Sequence, residues 1–444
     1  MNLNKGISGY RSFNWNFLKN YYSVFYYKQL FSCNNINLCR LSGKILDIFE
    51  DLLKRQSIFR DESKLDINYV PRELPHRNKE IALLSQLFLI LLTNPNSISR
   101  KILVTGNTGI GKTVTVKFFG AMLVNASKKR NISIKYIHVN CRKERTSYKV
   151  LIKLLRSINE SFPKRGYAPQ DLLEILKDSL NYHNLHVLIV LDELNYLIKN
   201  DEDLIYSLTR LNDDSFNSPQ RISFIGIVRN ISCLNNLDNS TLSTLQRNII
   251  KFDEYSIDQI FDILKYRAEI SLKEGIITDE LLESVSEIVC LKGDIRYGLN
   301  LLWKAGKIAE NNNLEEIDAE CIRLGNQDLV PFSTLDLLKD MNSHKLLFLL
   351  AIIKNLQLKS TDRITFLEIL KTYFIYCENV EFKPRSYSQL WNYLQDFKKE
   401  NFIAIKLQSK NIKGRKALIE IPEIPLDNFE GAILKILHSK GIKI

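Results

Sequence analysis

An α/β P-loop module built on a parallel sheet, an all-α domain and a C-terminal winged-helix domain is the architecture this sequence predicts, on three observations. Between Lys101 and Val228, short β-branched runs alternate with helical stretches, the pattern of a parallel sheet covered by helices. From Ser256 to about Gly325 only helical periodicity is present. After Pro331 come three helical stretches, then two β-rich segments, Ile403 to Leu407 and Ala417 to Ile421, joined by the polar loop Gln408 to Lys416.

The 444 residues divide into four parts: an extension over 1–44, the P-loop module over 45–254, a helical domain over 255–330 and the winged helix over 331–444. Charge follows the same division. Residues 1–44 hold six Lys/Arg and no Asp/Glu, and residues 331–444 hold 18 Lys/Arg against 12 Asp/Glu. The two ends therefore account for the whole net charge of +12, and the middle is neutral. A neutral engine with basic ends fits delivery of that engine to a polyanion. The seven cysteines are scattered with no close pair, which argues against zinc and disulfide frameworks and predicts a reducing, cytoplasmic setting. The apolar run Ile81 to Leu92 is too short to cross a membrane and reads as a core helix.

The extension is rich in aromatics (Tyr21, Tyr22, Phe25, Tyr26, Tyr27, Phe31), and Asn and Tyr interrupt every apolar run, so no signal peptide is read. It is either a basic arm that stacks on nucleic acid or a poorly ordered stretch upstream of the true start. Ile45, Leu46, Ile48, Phe49, Leu52 and Leu53 then recur at helical spacing. The turn-rich link Tyr69 to Arg77 precedes a second apolar helix. Strands are expected at Lys101–Thr105, Ile134–Val139, His186–Leu191 and Arg221–Val228, with a helix at Lys112–Ala126.

Gly106-Asn107-Thr108-Gly109-Ile110-Gly111-Lys112-Thr113 matches the P-loop pattern, between a buried strand and a helix that begins before Val114. Glycines let backbone N–H groups converge on phosphate oxygens. The helix N-terminus adds positive potential, Lys112 a point charge on the outer phosphates, and Thr113 a hydroxyl for Mg²⁺. About 80 residues on, Val187 to Leu191 carries Asp192 and Glu193 to a strand end. Asp192 is expected to hold Mg²⁺ through water, and Glu193 to polarise the attacking water. A third strand ends at Arg229-Asn230, where Asn230 is the choice for a γ-phosphate sensor and Arg229 the rival. Gly293-Asp294 caps a helix whose first turn holds Arg296, placed to reach across the cleft to the phosphates.

Together these motifs resemble the archaeal replication-initiator AAA+ proteins of the origin-recognition and cell-division-control type. The resemblance runs from about Ile45 to the C-terminus. It also rests on Ile58-Phe59-Arg60-Asp61-Glu62, Pro75-His76-Arg77, Val139-Asn140-Cys141-Arg142 and the Tyr255 to Arg267 segment. It implies that Tyr69, Val70, His76 and Arg77 lie near adenine and ribose, that Tyr255 and Arg267 contact the nucleotide from a lid formed by the helical domain, and that ATP or ADP with Mg²⁺ is the cofactor. It implies also a DNA-touching helical insertion between the second strand and Asp192. There Arg142, Lys143, Arg145, Lys149, Lys153, Arg156, Lys164 and Arg165 face only Glu144 and Glu160. The chain departs from the family at Leu237-Asp238-Asn239-Ser240, where an arginine is usual and Arg247 lies a few residues on. That departure puts an arginine finger acting in trans in doubt and suggests slow hydrolysis.

At the basic C-terminal end, Lys383-Pro384-Arg385-Ser386-Tyr387-Ser388-Gln389 opens a helix running to about Glu400, with Ser386 and Gln389 spaced as a capping box and Leu390, Tyr393, Leu394 and Phe397 as its buried stripe. Its N-terminal end is the part that enters the major groove in helix-turn-helix proteins. The loop bearing Lys410, Lys413, Arg415 and Lys416 reads as a wing. The expectation is a nucleoid-associated initiator that binds double-stranded origin DNA, helps recruit the replicative helicase, works beside paralogous initiators and uses slow ATP hydrolysis as a switch. Two alternatives stand: a signalling or defence P-loop ATPase whose winged helix is a protein-interaction arm, and a DNA-binding adaptor with vestigial turnover.

Overall fold

The computed structural model describes residues 57–443 except 96, 202, 211–218, 238, 246–247, 328, 360–363, 401, 409–415 and 422–425. The extension, the helix expected from Ile45, and Lys410, Lys413, Arg415, Asp238 and Arg247 lie outside the described residues. Ile58–Ile444 form one compact unit.

A 3₁₀ turn, Glu62–Leu65, leads through the extended link to α1 (Asn78–Phe88) and α2 (Ile90–Thr93). The α/β module follows in order: β1 (Lys101–Thr105), α3 (Lys112–Lys128), β2 (Ile134–Asn140), α4 (Ser147–Ile158), α5 (Pro169–Tyr182), β3 (His186–Asp192), α6 (Asn195–Asn200), α7 (Asp203–Arg210), β4 (Ile222–Val228), α8 (Asn239–Leu245) and β5 (Ile249–Lys251). Its five strands are all parallel, in the order β2-β3-β4-β1-β5. β3 and β4 are buried along their whole length, which is why both read as mainly apolar runs rather than alternating ones. One core packs α1 and α3 on one sheet face, through Phe88, Phe119 and Val190; a second packs α4 and α5 on the other, through Leu151, Leu176 and Ile189.

The helical domain comprises α9 (Ile257–Ser271), α10 (Asp279–Lys292), α11 (Ile295–Asn311) and α12 (Ala319–Gln327). Ile58, Phe59 and Leu65 pack into its core, and Phe59 pairs with Leu272 across an isolated bridge. Residues 58–65 therefore belong physically with the later helices, although they precede the sheet in sequence.

The C-terminal domain holds α13 (Phe332–Asp340), α14 (Ser343–Lys359), β6 (Ile364–Thr365), α15 (Phe366–Asn379), α16 (Tyr387–Lys399), β7 (Ala404–Gln408), β8 (Lys416–Glu420) and α17 (Leu426–Ser439). A small antiparallel sheet, β6-β8-β7, closes it. Among the described residues four helices precede the β7–β8 hairpin instead of three, because the chain bends at Met341 and Asn342 between α13 and α14. Helix α17 was not read from the sequence. Leu390, Leu394 and Phe397 of α16 are buried as expected. The capping box at Ser386 does not form: its hydroxyl bonds Ser388 Oγ at 3.2 Å and no side chain caps the helix.

Candidate nucleotide site and basic surfaces

Parallel register brings the ends of β1 to β4 to one edge of the sheet, with Asn140 level with Asp192 and Val104 level with Ile227. The loop after β1 turns on Gly106, Gly109 and Gly111 at φ of 144°, 80° and 87°, left-handed values costly to residues with a Cβ. Gly111 is the N-cap of α3 and supplies no side-chain oxygen, so the first-turn N–H groups are left for an incoming acceptor. Asn107 is exposed and donates to Glu254, while Thr108 and Val114 are half-buried and Ile110 is buried.

Lys112, 8% exposed, folds back over the loop and donates to the carbonyls of Gly106 and Asn107 at 2.7 and 2.5 Å. Burial pushes its pKa down to about 8, against the pull of Glu193 and Asp192. Phosphates beside the ammonium raise that value, so binding takes up a proton above pH about 8, and affinity falls as pH rises past it. Calorimetry of nucleotide in buffers of different ionisation enthalpy is expected to show this uptake at pH 8.5 and little at pH 7 (roughly one pK unit away is a tenth titrated).

Asp192 is 5% exposed at the end of β3. Burial alone would raise its pKa, but it lies below the usual carboxylate range because His138 Nε2 (3.1 Å), the Thr113 hydroxyl (2.9 Å) and the Glu193 N–H (2.9 Å) all stabilise the anion. Tyr136 completes the line with its hydroxyl 2.9 Å from His138 Nδ1. A hydroxyl and a carboxylate in contact form a hard oxygen pair of the kind Mg²⁺ takes beside phosphate. Among the described residues no group of three or more His, Cys, Asp or Glu could hold a metal alone.

Glu193 sits at φ 54°, a strained value for a non-glycine residue. Its carboxylate accepts from Arg229 Nε and NH2, both at 3.2 Å. The two candidates at the third strand end stand differently. Asn230 is exposed and its side-chain oxygen accepts from Ser232 N, capping the next turn, so Arg229 is the residue that faces the acidic pair.

The helical domain closes over the loop. Ile295 N donates to Gly109 O at 3.2 Å, and a Cβ on Gly109 would overlap the Asp294 carboxylate. Asp294 caps α11 and holds Arg296 two-pronged, at 2.9 and 2.6 Å. Tyr255 packs beside the Arg77 guanidinium, 3.9 Å from its ring centroid. Arg77 is 4% exposed and donates to Tyr255, Glu80, Ile110 O and Asp253 O, which knits the link, the loop and the lid together. Arg267 donates to the carbonyls of Lys64 and Asp66 and lies 5.3 Å from the Tyr69 ring, so it buttresses Tyr69 from behind. Tyr69 and Val70 are half-buried, and His76 is exposed with Nε2 2.7 Å from Asp262.

The insertion helix α4 and the loop after it form a basic cleft of about 530 Å³ walled by Lys149, Lys153, Arg156, Lys164 and Arg165, with Glu144 as its one acid. Arg142 does not join it. Its guanidinium turns away to Asp336 at 2.7 Å and Asp340 at 3.2 Å. The second basic surface is the start of α16, where Lys383, Arg385, Ser386, Tyr387 and Gln389 are all exposed. Tyr387 is held edge-on to Phe366. His138 and Asp336 were missed as site residues, while Arg142 was read only into the basic stripe and Asp294 only as a helix cap. His138 left a trace in the sequence, a polar side chain just before the end of a β run.

Three family models match consecutive parts of the chain: AAA domain over residues 99–230, Cdc6 AAA+ ATPase-type lid domain over 261–327, and CDC6 C-terminal winged helix domain over 336–430. An ORC1-type DNA replication protein 2 of Sulfurisphaera tokodaii is 30% identical over 392 residues, covering 86% of this chain and 94% of that protein. The fold is that of the Aeropyrum pernix ORC1 protein solved in complex with DNA (TM-score 0.71, 24% identity, 86% and 97% covered). It is also that of the Aeropyrum pernix ORC2 protein solved as ADPNP-ADP complexes (TM-score 0.60, 22% identity, 87% and 100% covered). With its AAA module, Cdc6-type lid and winged helix in this order, the chain belongs to the ORC1-type (Cdc6) family of DNA replication proteins.

Proposed function

We propose that this protein is an ATP-dependent replication initiator that binds origin duplex DNA with nucleotide bound and helps recruit the replicative helicase. The observation that carries the reading is one chain holding a P-loop opposite an acidic pair, and two exposed basic surfaces outside that site. The relatives solved with DNA and with ADPNP and ADP support it.

Lys112 and the first-turn N–H groups of α3 bind the phosphates. Tyr69, Val70 and His76 flank the base and sugar, with Arg77, Tyr255 and Arg267 fixing that wall. Thr113 and Asp192 would hold Mg²⁺, which would supply positive charge against the negative charge of the phosphates. His138 keeps the Asp192 carboxylate oriented. Glu193 polarises water, and it must first leave Arg229. That parked carboxylate supports slow turnover, suited to a switch. DNA is gripped by the insertion cleft, including Lys164 and Arg165, and by the start of α16, with Lys383 and Arg385 on the backbone and Ser386, Tyr387 and Gln389 toward the groove. Partner initiators of the same family and the helicase complete the assembly.

Footprinting on genomic DNA of the source organism tests this. The expected result is a few discrete protected sites clustered at an origin. Uniform protection without preferred sites, or association with proteins alone, would contradict it and favour a signalling role.

A further inference from the structure

Helix α13 opens the C-terminal domain and is anchored there by Leu338, which is fully buried in that domain's core. Asp336 and Asp340 stand one turn apart, on one face. Both reach back to the ATPase edge. Asp336 receives Arg142 NH1 at 2.7 Å, and its other oxygen stands 3.8 Å from Arg296 NH1 and 4.0 Å from Arg229 NH2. Asp340 receives Arg142 NH2 at 3.2 Å and the Tyr196 hydroxyl. Asp336 is 13% exposed, so its interactions are shielded from water more than those of a surface pair.

Three arginines from three separate elements thus converge on one carboxylate, which belongs to a fourth. Arg229 follows β4 beside Glu193, Arg296 opens the lid helix α11, and Arg142 follows β2. Each of the first two also holds an acid of its own, Glu193 and Asp294. Glu193 follows Asp192 at the end of β3, and the Asp294 carboxylate lies against Gly109 of the phosphate loop, so both arginines stand at the rim of the nucleotide site. A dense anion at the P-loop therefore draws on the same two cations that Asp336 uses.

We propose that Asp336 is a latch: it competes with the terminal phosphate of a nucleoside triphosphate for Arg229 and Arg296, so that triphosphate, and not diphosphate, loosens α13 from the ATPase. The inference rests on the nucleotide site proposed above. Guanidinium pairs planar carboxylate and phosphate alike, and phosphate carries more charge and more acceptor oxygens. When Arg229 turns to phosphate it frees Glu193 and drops its share of Asp336 together. Arg142 and the Tyr196 hydroxyl then tie α13 to the ATPase edge. The C-terminal domain is thereby told which nucleotide is bound. By linkage, whatever holds α13 down weakens triphosphate relative to diphosphate by the same factor.

Hydrogen exchange of the full chain, read by mass spectrometry with saturating ADP or a non-hydrolysable ATP analogue, tests the latch. Amides of α13 are expected to exchange about tenfold faster with the analogue than with ADP. Asp336→Asn is expected to exchange fast in both and to raise the ratio of analogue to ADP affinity about tenfold, measured by calorimetry. Equal exchange in the two wild-type complexes would overturn the latch, even if the variant fails to fold. An unchanged affinity ratio in a folded variant would overturn it as well. If neither nucleotide binds the wild-type protein, the nucleotide site itself is wrong, a failure the same titrations detect separately.

Discussion

Glu193→Gln is expected to lower ATP turnover by about two to four orders of magnitude and to leave nucleotide affinity within a few-fold of wild type. Glutamine keeps the shape and the strained backbone of the site but cannot accept a proton. The strain is the reason to expect a specific defect. A φ of 54° is sparsely populated by non-glycine residues, and such strained positions cluster at functional sites. Lys112→Ala is the matched control. It removes the charge on the outer phosphates and is expected to abolish measurable binding, since a buried, charge-assisted interaction is lost outright. Single-turnover hydrolysis beside a fluorescent-nucleotide binding curve reads both. Unchanged turnover in Glu193→Gln removes that residue from catalysis.

The second large effect is on DNA affinity. If the insertion cleft and the start of α16 grip the backbone at six or more phosphates, affinity falls about a thousandfold between roughly 50 and 200 mM salt. Arg385→Ala and Lys153→Ala are each expected to reduce the slope of log affinity on log salt by about one, and together by about two. Both side chains lie outside the buried cores, so the folded state is expected to survive. A flat salt response, or a double variant that binds like wild type, removes DNA from these surfaces.

How far the sequence carries follows from what kind of interaction shapes each feature. Strand β1 was legible to the residue, because a short apolar run between turn signals has few other solutions. The phosphate loop was legible because its chemistry is local: glycines, a lysine and a helix start, all within eight residues. At the third strand end the rival Arg229, rather than the chosen Asn230, lies against Glu193. Both residues follow Val228, the last residue of β4, where strand alternation no longer dictates which side chain faces the site; Arg229 bonds Glu193 and Asn230 is exposed. Arg142 was read as part of a basic stripe because charge counting along the chain ignores what lies across space. Its partners, Asp336 and Asp340, come nearly 200 residues later, at sequence separations of 194 and 198. The capping box at Ser386 matched by spacing, yet the hydroxyl found a nearer partner in Ser388. Local chemistry was readable, and the ion pairs that join domains were not, because such pairs leave no period or motif.

At the centre stands the claim that the loop after β1 and the acidic pair after β3 close on one adenine nucleotide. Titration of the purified chain with ADP and Mg²⁺ in a calorimeter measures this directly. The expected result is one site per chain with a dissociation constant of about 10 μM or tighter, near −7 kcal/mol. The same titration of Lys112→Ala is expected to be flat. No heat from the wild-type protein across several buffers and temperatures, or equal heat from Lys112→Ala, would contradict the account.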